Sequence, residues 1–225
     1  QSDQSSSNQT PTPTSVPLAS EPTGKIVFTC QIFTDDTKDQ ICIMNADGSG
    51  WKRLTSDDDS SHTFPSLAPD GRSVVFASNQ SGSNQIYEID LSGNQWQLTT
   101  LDGKSDAPAI SPDGRRIVFM HFTGEYREIW LMDRDGSNPQ AVTSGYEDFD
   151  PSWSPDGSRI LFAAQRGGGA QLYTIQPDGI GLRQITNMDK LSGRSDWSPN
   201  GNLIATYAGD QGARNLFLVN PLDGS

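Results

Sequence analysis

Two cysteines are the residues best suited to covalent chemistry. Aligning the repeats described below places Cys30 on one strand and Cys42 on its hairpin partner. Residues that face each other across antiparallel strands have Cβ atoms about 4.5–5.5 Å apart, close to the separation in a disulfide. Two buried free thiols are the alternative. We favour a structural disulfide because the amino-terminal stretch also points to an oxidising compartment.

A second set of candidates consists of aspartates near the starts of predicted strands. If these strands surround a common axis, their carboxylates rim one mouth of a channel. The channel-mouth candidates are Asp106, Asp148, Asp150 and Asp196. Paired carboxylates could hydrolyse glycosidic bonds, but no suitable partner set accompanies them. Loop aspartates more often cap turns and keep a protein soluble, and this is the interpretation we favour.

One turn has some features of a calcium loop. Asp133 and Asp135 offer alternating oxygen ligands in the segment DRDGSN, but Ser144 stands where the twelfth-position carboxylate of a calcium loop is required. Similar turns recur at the same place in the other repeats, as hairpin geometry demands. We therefore predict structural turns, with no metal and no cofactor.

Nucleophilic catalysis has little support in the sequence. The only histidines are His62 and His121, and no Gly-x-Ser-x-Gly motif is present. His121 aligns with small residues on a strand and is predicted to be packed inside a sheet. His62 falls in the loop segment DDDSSHTF and is predicted to be exposed, without metal-ligand spacing. These residues predict a protein that is not an enzyme.

The elements that carry these residues repeat every 43 or 44 residues. Each repeat has a tight turn, an apolar strand, a second strand ending at another turn, a short third strand and a segment leading to the next turn. The turns are Pro69-Asp70-Gly71, Pro112-Asp113-Gly114, Pro155-Asp156-Gly157 and Pro199-Asn200-Gly201. No helical pattern of useful length occurs.

This period matches a blade of a β-propeller. A four-stranded antiparallel sheet of this size cannot bury both faces alone, and radial stacking lets each sheet cover the next. We therefore predict an all-β propeller of four-stranded antiparallel blades. About five are expected, the last incomplete, with the first blade's inner strand in the segment 17–26. Continuation of a parent chain would give six or more.

The motif DPSWSPDGSRILFAAQ, followed by QLYTIQPDG and RQIT, resembles the WD-like repeat of TolB-type propellers. Similar repeats occur in propellers attached to prolyl-oligopeptidase-type peptidases. The resemblance covers residues 25–225 and implies a propeller whose protein partner engages one mouth of the ring. It identifies no activity, because propellers host many functions.

Residues 1–15 differ from the remainder, which we assign to the propeller domain (16–225). This stretch is rich in Ser, Thr, Gln and Pro and contains no strongly apolar residue, so we expect a flexible tail. Asn8 and Asn79 begin glycosylation sequons. The chain starts with Gln1, which we interpret as the product of processing or excision that removed any signal peptide.

Charge excludes several classes of partner. The net charge of −12 argues against nucleic acid, whose phosphates require a basic surface, and against acidic membranes. No apolar run is long enough to insert into a membrane.

We therefore predict a non-enzymatic propeller that is extracellular, on the cell surface or periplasmic. It would bind a protein partner or assemble with itself through an open blade edge and the tail, although Pro11 and Pro13 weaken the tail as a strand donor. The alternative is the accessory propeller of a secreted hydrolase, either a prolyl-oligopeptidase-type peptidase or a glycan-active enzyme, whose catalytic part lies outside these residues.

Overall fold

The computed structural model describes residues 23–31, 38–57, 59–191, 193–210 and 212–225. Within these ranges the secondary structure consists of strands and turns. The strands are β1 (Lys25–Cys30), β2 (Gln40–Asn45), β3 (Lys52–Arg53), β4 (His62–Leu67), β5 (Ser73–Ser78), β6 (Gln85–Asp90), β7 (Gln95–Gln97), β8 (Lys104–Ile110), β9 (Arg116–Phe122), β10 (Arg127–Asp133), β11 (Gln140–Ala141), β12 (Glu147–Trp153), β13 (Ile160–Gln165), β14 (Gln171–Ile175), β15 (Arg183–Gln184), β16 (Asp196–Trp197), β17 (Ile204–Asp210) and β18 (Ala213–Val219).

The strands form five antiparallel sheets, each built from strands that are consecutive in the chain. Sheet 1 contains β1–β3, sheet 2 β4–β7, sheet 3 β8–β11, sheet 4 β12–β15 and sheet 5 β16–β18. This arrangement confirms the predicted all-β propeller. The expected inner strand of the first blade falls largely in residues 17–22, which lie outside the described residues. In sheet 5 the described strands end at β18, as expected for an incomplete last blade.

In sheets 2–4 the Pro-Asp-Gly turns connect the inner strand to the next strand, and Pro199-Asn200-Gly201 does the same in sheet 5. In sheet 4 the Gly157 amide donates to the Ser154 carbonyl at 2.8 Å, and Gly157 has a φ of 69°, a left-handed conformation that favours glycine. Asp156 Oδ1 accepts hydrogen bonds from Ser154 Oγ at 2.6 Å and from the Ser158 amide at 3.0 Å. The motif is therefore a self-contained chain reversal.

The hydrophobic core is divided into four layers, each between two successive sheets. Phe76 packs between sheets 1 and 2, Phe119 between sheets 2 and 3, and Phe162 between sheets 3 and 4. All three side chains are fully buried. Leu172 of sheet 4 packs with Ile204 of sheet 5 in the fourth layer. In each of these layers, two successive sheets shield one another's facing side chains from solvent.

The inner strands β4, β8 and β12 each contain a bulge that the sequence analysis did not anticipate. Their pairing registers shift at equivalent places, and the residue before a proline has a positive φ in each: 56° at Phe64, 50° at Ala107 and 53° at Asp150. Bulges bend a strand and re-aim its side chains. Here the bulges lie in the innermost strands, so they set the shape of the surface around the propeller axis.

Four of the five tryptophans divide into two groups. Trp153 is 7% exposed in the layer between sheets 3 and 4, and Trp197 packs against the next layer. Both stand at the same position of the repeat. Trp51 and Trp96 follow hairpin turns and are exposed. Among the described residues, no helix is long and apolar enough to span a membrane.

Candidate functional site

A cavity of 410 Å³ lies where the inner strands of sheets 2–5 converge. Equivalent segments of β4, β8 and β12, each containing the bulge proline, form three parts of its wall. Sheet 5 supplies residues around β16, together with part of β17 and β18. The lining residues are Phe64, Pro65, Ser66, Ala107, Pro108, Ala109, Asp150, Pro151, Ser152, Arg194, Ser195, Asp196, Ala205, Thr206, Tyr207 and Leu216.

Arg194 connects three sheets at this cavity. Its guanidinium lies over the ring of Phe64 at 4.3 Å, a cation–π geometry, although Phe64 belongs to sheet 2. Its backbone amide donates to Asp150 Oδ2 at 3.1 Å, and its Nε lies 3.9 Å from Asp150 Oδ1. Arg194 was not among the predicted site residues. In the repeat alignment it occupies, one repeat further along the chain, the position that Asp150 occupies in sheet 4.

Three of the four channel-mouth candidates lie at or beside the axial cavity. Asp150 and Asp196 line it. Asp106 accepts a hydrogen bond from Asn84 Nδ2 at 2.7 Å, and it lies close enough to Asp150 for the two charges to repel. Burial raises the pKa of Asp106 and of Asp196. The cavity mouth is therefore acidic, with Arg194 as a cation among its lining residues.

Asp148 does not lie at the channel mouth, which corrects the prediction for this residue. Its side chain is fully buried in sheet 4 and is paired with Arg166. Regular alternation along β12 would place Asp148 and Asp150 on the same face, but the pairing register shifts between Phe149 and Ser152, and this bulge turns Asp150 in a different direction.

His62 is also buried, contrary to the prediction of an exposed loop residue. It begins strand β4, pairs with Ser78 and lies edge-on to Phe76 with ring centroids 5.5 Å apart. Residues 105 and 148, at the same place in the next two repeats, are fully buried as well, so this position of the repeat is buried in sheets 2–4. Burial lowers the pKa of His62.

His121 is buried inside sheet 3. Its Nδ1 shares a hydrogen bond with Ser105 Oγ at 3.0 Å, and its ring lies 4.8 Å from that of Trp130. Burial lowers the pKa of His121. Neither histidine lines the axial cavity, so neither is placed to act as a general base there.

Cys30 and Cys42 form a disulfide in the structure, with Cα atoms 6.0 Å apart. They are diagonal neighbours and do not face each other directly, because Cys42 pairs with Phe28 and Cys30 pairs with Gln40. Strand twist allows such diagonal contacts. The bridge joins β1 to β2, and neither cysteine lines the axial cavity.

Asp133 and Asp135, the candidate calcium ligands, accept hydrogen bonds from other residues of the same turn. Asp135 Oδ1 accepts from the Ser137 amide at 2.9 Å, and Asp133 Oδ2 accepts from Asn138 Nδ2 at 2.7 Å. Nowhere in the described ranges do three His, Cys, Asp or Glu side chains group as metal ligands would.

Of the two asparagines that begin glycosylation sequons, Asn79 lies within the described residues. Asn79 follows β5, is partly exposed, and its Oδ1 accepts from the Ser61 amide at 2.9 Å. Asn8 lies outside the described residues.

Sheets stacked around an axial cavity, each covering the next, define the molecule as a β-propeller protein. The chain belongs to the TolB beta propeller domain family, whose model matches residues 3–148 and 97–224. The family suggested by the Pro-Asp-Gly repeat is thereby confirmed.

Two individual proteins are similar to this chain, one over a short segment and the other over most of its length. The Tol-Pal system protein TolB of Bordetella pertussis is 41% identical over 54 residues, which is 24% of this chain and 12% of that protein. TolB from Acinetobacter baumannii superimposes with a TM-score of 0.77 at 23% identity, covering 90% of this chain and 51% of that one. This chain therefore spans about half the length of the Acinetobacter protein.

An enzyme shares the fold as well. A puromycin hydrolase superimposes with a TM-score of 0.66 at 18% identity, covering 88% of this chain and 35% of the hydrolase chain. Likeness at this level of identity concerns the fold alone.

Proposed function

We propose that this chain is a non-enzymatic interaction scaffold whose protein partner engages the mouth of the axial cavity. The observation that carries the proposal is the convergence of Asp150, Asp196 and Arg194 on that cavity, with Asp106 beside Asp150. Its acidic character favours a partner segment with basic or hydrogen-bond-donating side chains.

The size of the cavity supports a partner that inserts a short segment. A volume of 410 Å³ is in the range of sites that hold a small molecule or a few side chains. The bulges of β4, β8 and β12 fix its wall without the help of a partner, so a binding segment meets a largely preformed surface. Preorganisation of this kind lowers the cost of association.

The location we propose is outside the cytoplasm: the periplasm, the cell surface or the extracellular space. The Cys30–Cys42 disulfide supports an oxidising compartment, where such bonds form and persist. The similarity to a protein named as part of the Tol-Pal system supports the cell envelope in particular.

The test compares the cavity mouth with an ion pair whose residues do not line the cavity. A double variant, Asp150→Ser with Arg194→Ser, removes charges at the mouth. The control, Lys190→Ser with Asp210→Ser, removes an exposed pair whose Nζ–Oδ1 distance is 2.7 Å. Immobilised wild type and both variants are incubated with envelope extract from the source cells, and bound proteins are quantified by mass spectrometry.

A partner that is retained by the control variant and lost by the mouth variant is the expected result. If every retained protein binds all three forms equally, the axial mouth is not the interaction site and the proposal is wrong.

The alternative function, an accessory propeller of a secreted peptidase or glycan-active enzyme, is supported by the fold shared with the puromycin hydrolase. The complete reading frame distinguishes the two. A downstream α/β-hydrolase segment with a Gly-x-Ser-x-Gly motif would establish the alternative. A frame without any catalytic domain, together with an inert purified protein, would support the scaffold.

Self-assembly is a second candidate, favoured by the outer face of sheet 5. Leu216 is 84% exposed and Leu218 67% exposed on β18, whereas Leu172, at the position of Leu216 in sheet 4, is fully buried. The following sheet covers this face in sheets 1–4, so a sheet of the same kind is the fitting occupant, and a second copy of the chain can supply it.

Light scattering tests this candidate. Leu216→Ser with Leu218→Ser is expected to lower the molar mass of any oligomer, and Leu222→Ser, in an exposed turn, is the control. Deleting residues 1–15 tests the tail. Wild type that is monomeric at all concentrations would exclude self-assembly.

A further inference from the structure

A second cavity, of 830 Å³, lies between sheets 4 and 5. It is at the end of the propeller that carries the Pro-Asp-Gly turns, and it shares no lining residue with the axial cavity. Turn residues 154–158 and 199–202 form one side, and Arg183 with the turn at Asn220–Leu222 forms the outer side. Arg159, Thr174 and Trp197 complete the lining.

The preceding seam, between sheets 3 and 4, is closed at the equivalent place. There Trp153 Nε1 donates to the Ala109 carbonyl at 3.0 Å, and the Arg116 guanidinium lies 5.1 Å from the centre of the Trp153 ring. These two contacts join one sheet to the next. Trp197 and Arg159 stand at the corresponding positions of the repeat, one period further along the chain.

Between sheets 4 and 5 the corresponding contacts are not made. Trp197 Nε1 and Arg159 Nη1 are buried and have no hydrogen-bond partner. Leaving a buried N–H group without an acceptor is unfavourable, and more so when the group is charged. The residues that seal one seam therefore line a cavity at the next and have unused donors.

The charges around the cavity leave Arg159 available. Within the described parts of the chain, no carboxylate forms an ion pair with Arg159. Asp156 is the one acidic residue among those that line the cavity. Its Oδ1 accepts hydrogen bonds from Ser154 Oγ and the Ser158 amide, and its Oδ2 accepts one from Ser158 Oγ. Arg183 donates to the Leu222 carbonyl. Hydrogen bonds from Ser225 and, to a lesser extent, the charge of Arg183 lower the pKa of Asp223.

We propose that this cleft binds a ligand through its carboxylate, with Arg159 as the principal contact. The guanidinium presents several N–H donors in a planar fork that matches the two oxygens of a carboxylate. Arg159 is partly exposed, so its side chain can turn a donor toward the opening of the cleft. The amides of Asn200, Asn202 and Asn220 are positioned to bind other polar groups of the ligand.

The carboxylate can come from a small organic acid or from a polypeptide, and the probes distinguish these sources. The chain is labelled with ¹⁵N, and the indole N–H resonance of Trp197 is assigned with a Trp197→Phe variant. Succinate, the peptide Gly-Leu-Glu with a free carboxyl terminus, the neutral amide Gly-Leu-Gln-NH₂ and inorganic phosphate are then titrated separately.

A saturable shift of the Trp197 resonance with succinate or with Gly-Leu-Glu supports the proposal and identifies the source. Arg159→Gln is expected to weaken that binding by about tenfold or more, and Arg159→Lys by less. Arg116→Gln, the matched arginine of the sealed seam, is expected to bind as wild type does. The indole resonances of the other four tryptophans verify that each variant is folded.

Three results would overturn the proposal. The first is the absence of a saturable shift with either carboxylate probe. The second is binding of phosphate or of Gly-Leu-Gln-NH₂ as tight as that of the carboxylates. The third is an Arg159→Gln variant, folded by the same spectrum, that binds as tightly as Arg116→Gln. None of these bears on the axial mouth, so the proposed function is tested separately.

Discussion

Arg166 donates a hydrogen bond to Asp148 Oδ2 at 2.5 Å, and the Asp148 side chain is fully buried. The same guanidinium stacks over the ring of Tyr146 at 4.4 Å. Burial raises the pKa of Asp148, while hydrogen bonding by Thr143 and the charge of Arg166 oppose the shift. The ion pair with Arg166 offsets the desolvation cost of burying the Asp148 carboxylate.

Removing Arg166 is therefore expected to be strongly destabilising. Arg166→Ala leaves Asp148 buried without its cation, and the free energy of unfolding should fall by about 3–5 kcal/mol. The control is Arg127→Ala, which breaks the pair between Arg127 of β10 and Glu147 of β12. These side chains are 51% and 31% exposed. That change should cost below about 1 kcal/mol. Urea unfolding measures both, and equal losses would contradict the assignment.

Asp156, the aspartate of the Pro-Asp-Gly turn in sheet 4, predicts a loss of stability in acid. Hydrogen bonds, first that of Ser154 Oγ and then those of Ser158, lower the pKa of Asp156 below its usual value of 3.8. Because the folded-state pKa is the lower one, these bonds contribute stability above the unfolded pKa. That contribution disappears as the pH falls through the folded-state pKa.

Asp156→Asn should therefore reduce the dependence of the unfolding free energy on pH in this acidic range. Asp70→Asn is the comparison, because Ala68 occupies the position of Ser154 and the Asp70 side chain lacks that hydroxyl donor. Urea unfolding at a series of acidic pH values provides the measurement. An identical pH dependence in wild type and Asp156→Asn would disprove the role of the turn.

Asp106 should behave in the opposite way. Burial is the main cause of its raised pKa. A raised folded-state pKa means that stability is greatest below the unfolded pKa and is lost as the pH rises through the folded value. Asp106→Asn should thus stabilise the protein at neutral pH while it removes charge beside the axial cavity. Unfolding measured at neutral and acidic pH tests the sign, and a loss of stability at neutral pH would contradict it.

The disulfide should stabilise the amino-terminal sheet by constraining the unfolded chain. Its cysteines are 12 residues apart, and closing a loop of that length contributes about 3 kcal/mol in the chain-entropy model. Cys30→Ser with Cys42→Ser should lower the unfolding free energy by a similar amount. Wild type in reductant should match the double variant, and the double variant itself should not respond to reductant.

Much of this architecture was predictable because the repeat encodes it locally. The 43-residue period, the Asp-Gly turns and the apolar strands such as Ile160-Leu161-Phe162 each indicate the same sheet, and stacking follows from the need to cover both faces. The outlying position of Asp148 and the burial of His62 were mispredicted. The position of Asp148 depends on the bulge in β12. The burial of His62 depends on where β4 begins, and strand boundaries are weakly determined by sequence.

The axial site depends on features that single residues do not reveal. Phe64 and Arg194 are far apart in the chain and meet because sheets 2 and 5 share an axis. The bulges were also not foreseeable, because a residue before proline is expected to be extended, whereas Ala107 and Asp150 precede prolines with positive φ.

The last prediction concerns the bulge of β8, where Ala107 has a positive φ. Alanine in a left-handed conformation is strained by about 1–2 kcal/mol, and Ala107 has a φ of 50°. Ala107→Gly removes that strain but increases the entropy of the unfolded chain, so the variant should be between unchanged and about 1 kcal/mol more stable. Ala109→Gly, two residues along the same strand and outside the positive-φ set, should lose about 0.5–1 kcal/mol. If urea unfolding shows the same loss for both variants, Ala107 does not adopt the left-handed conformation in solution, and the axial wall is built differently.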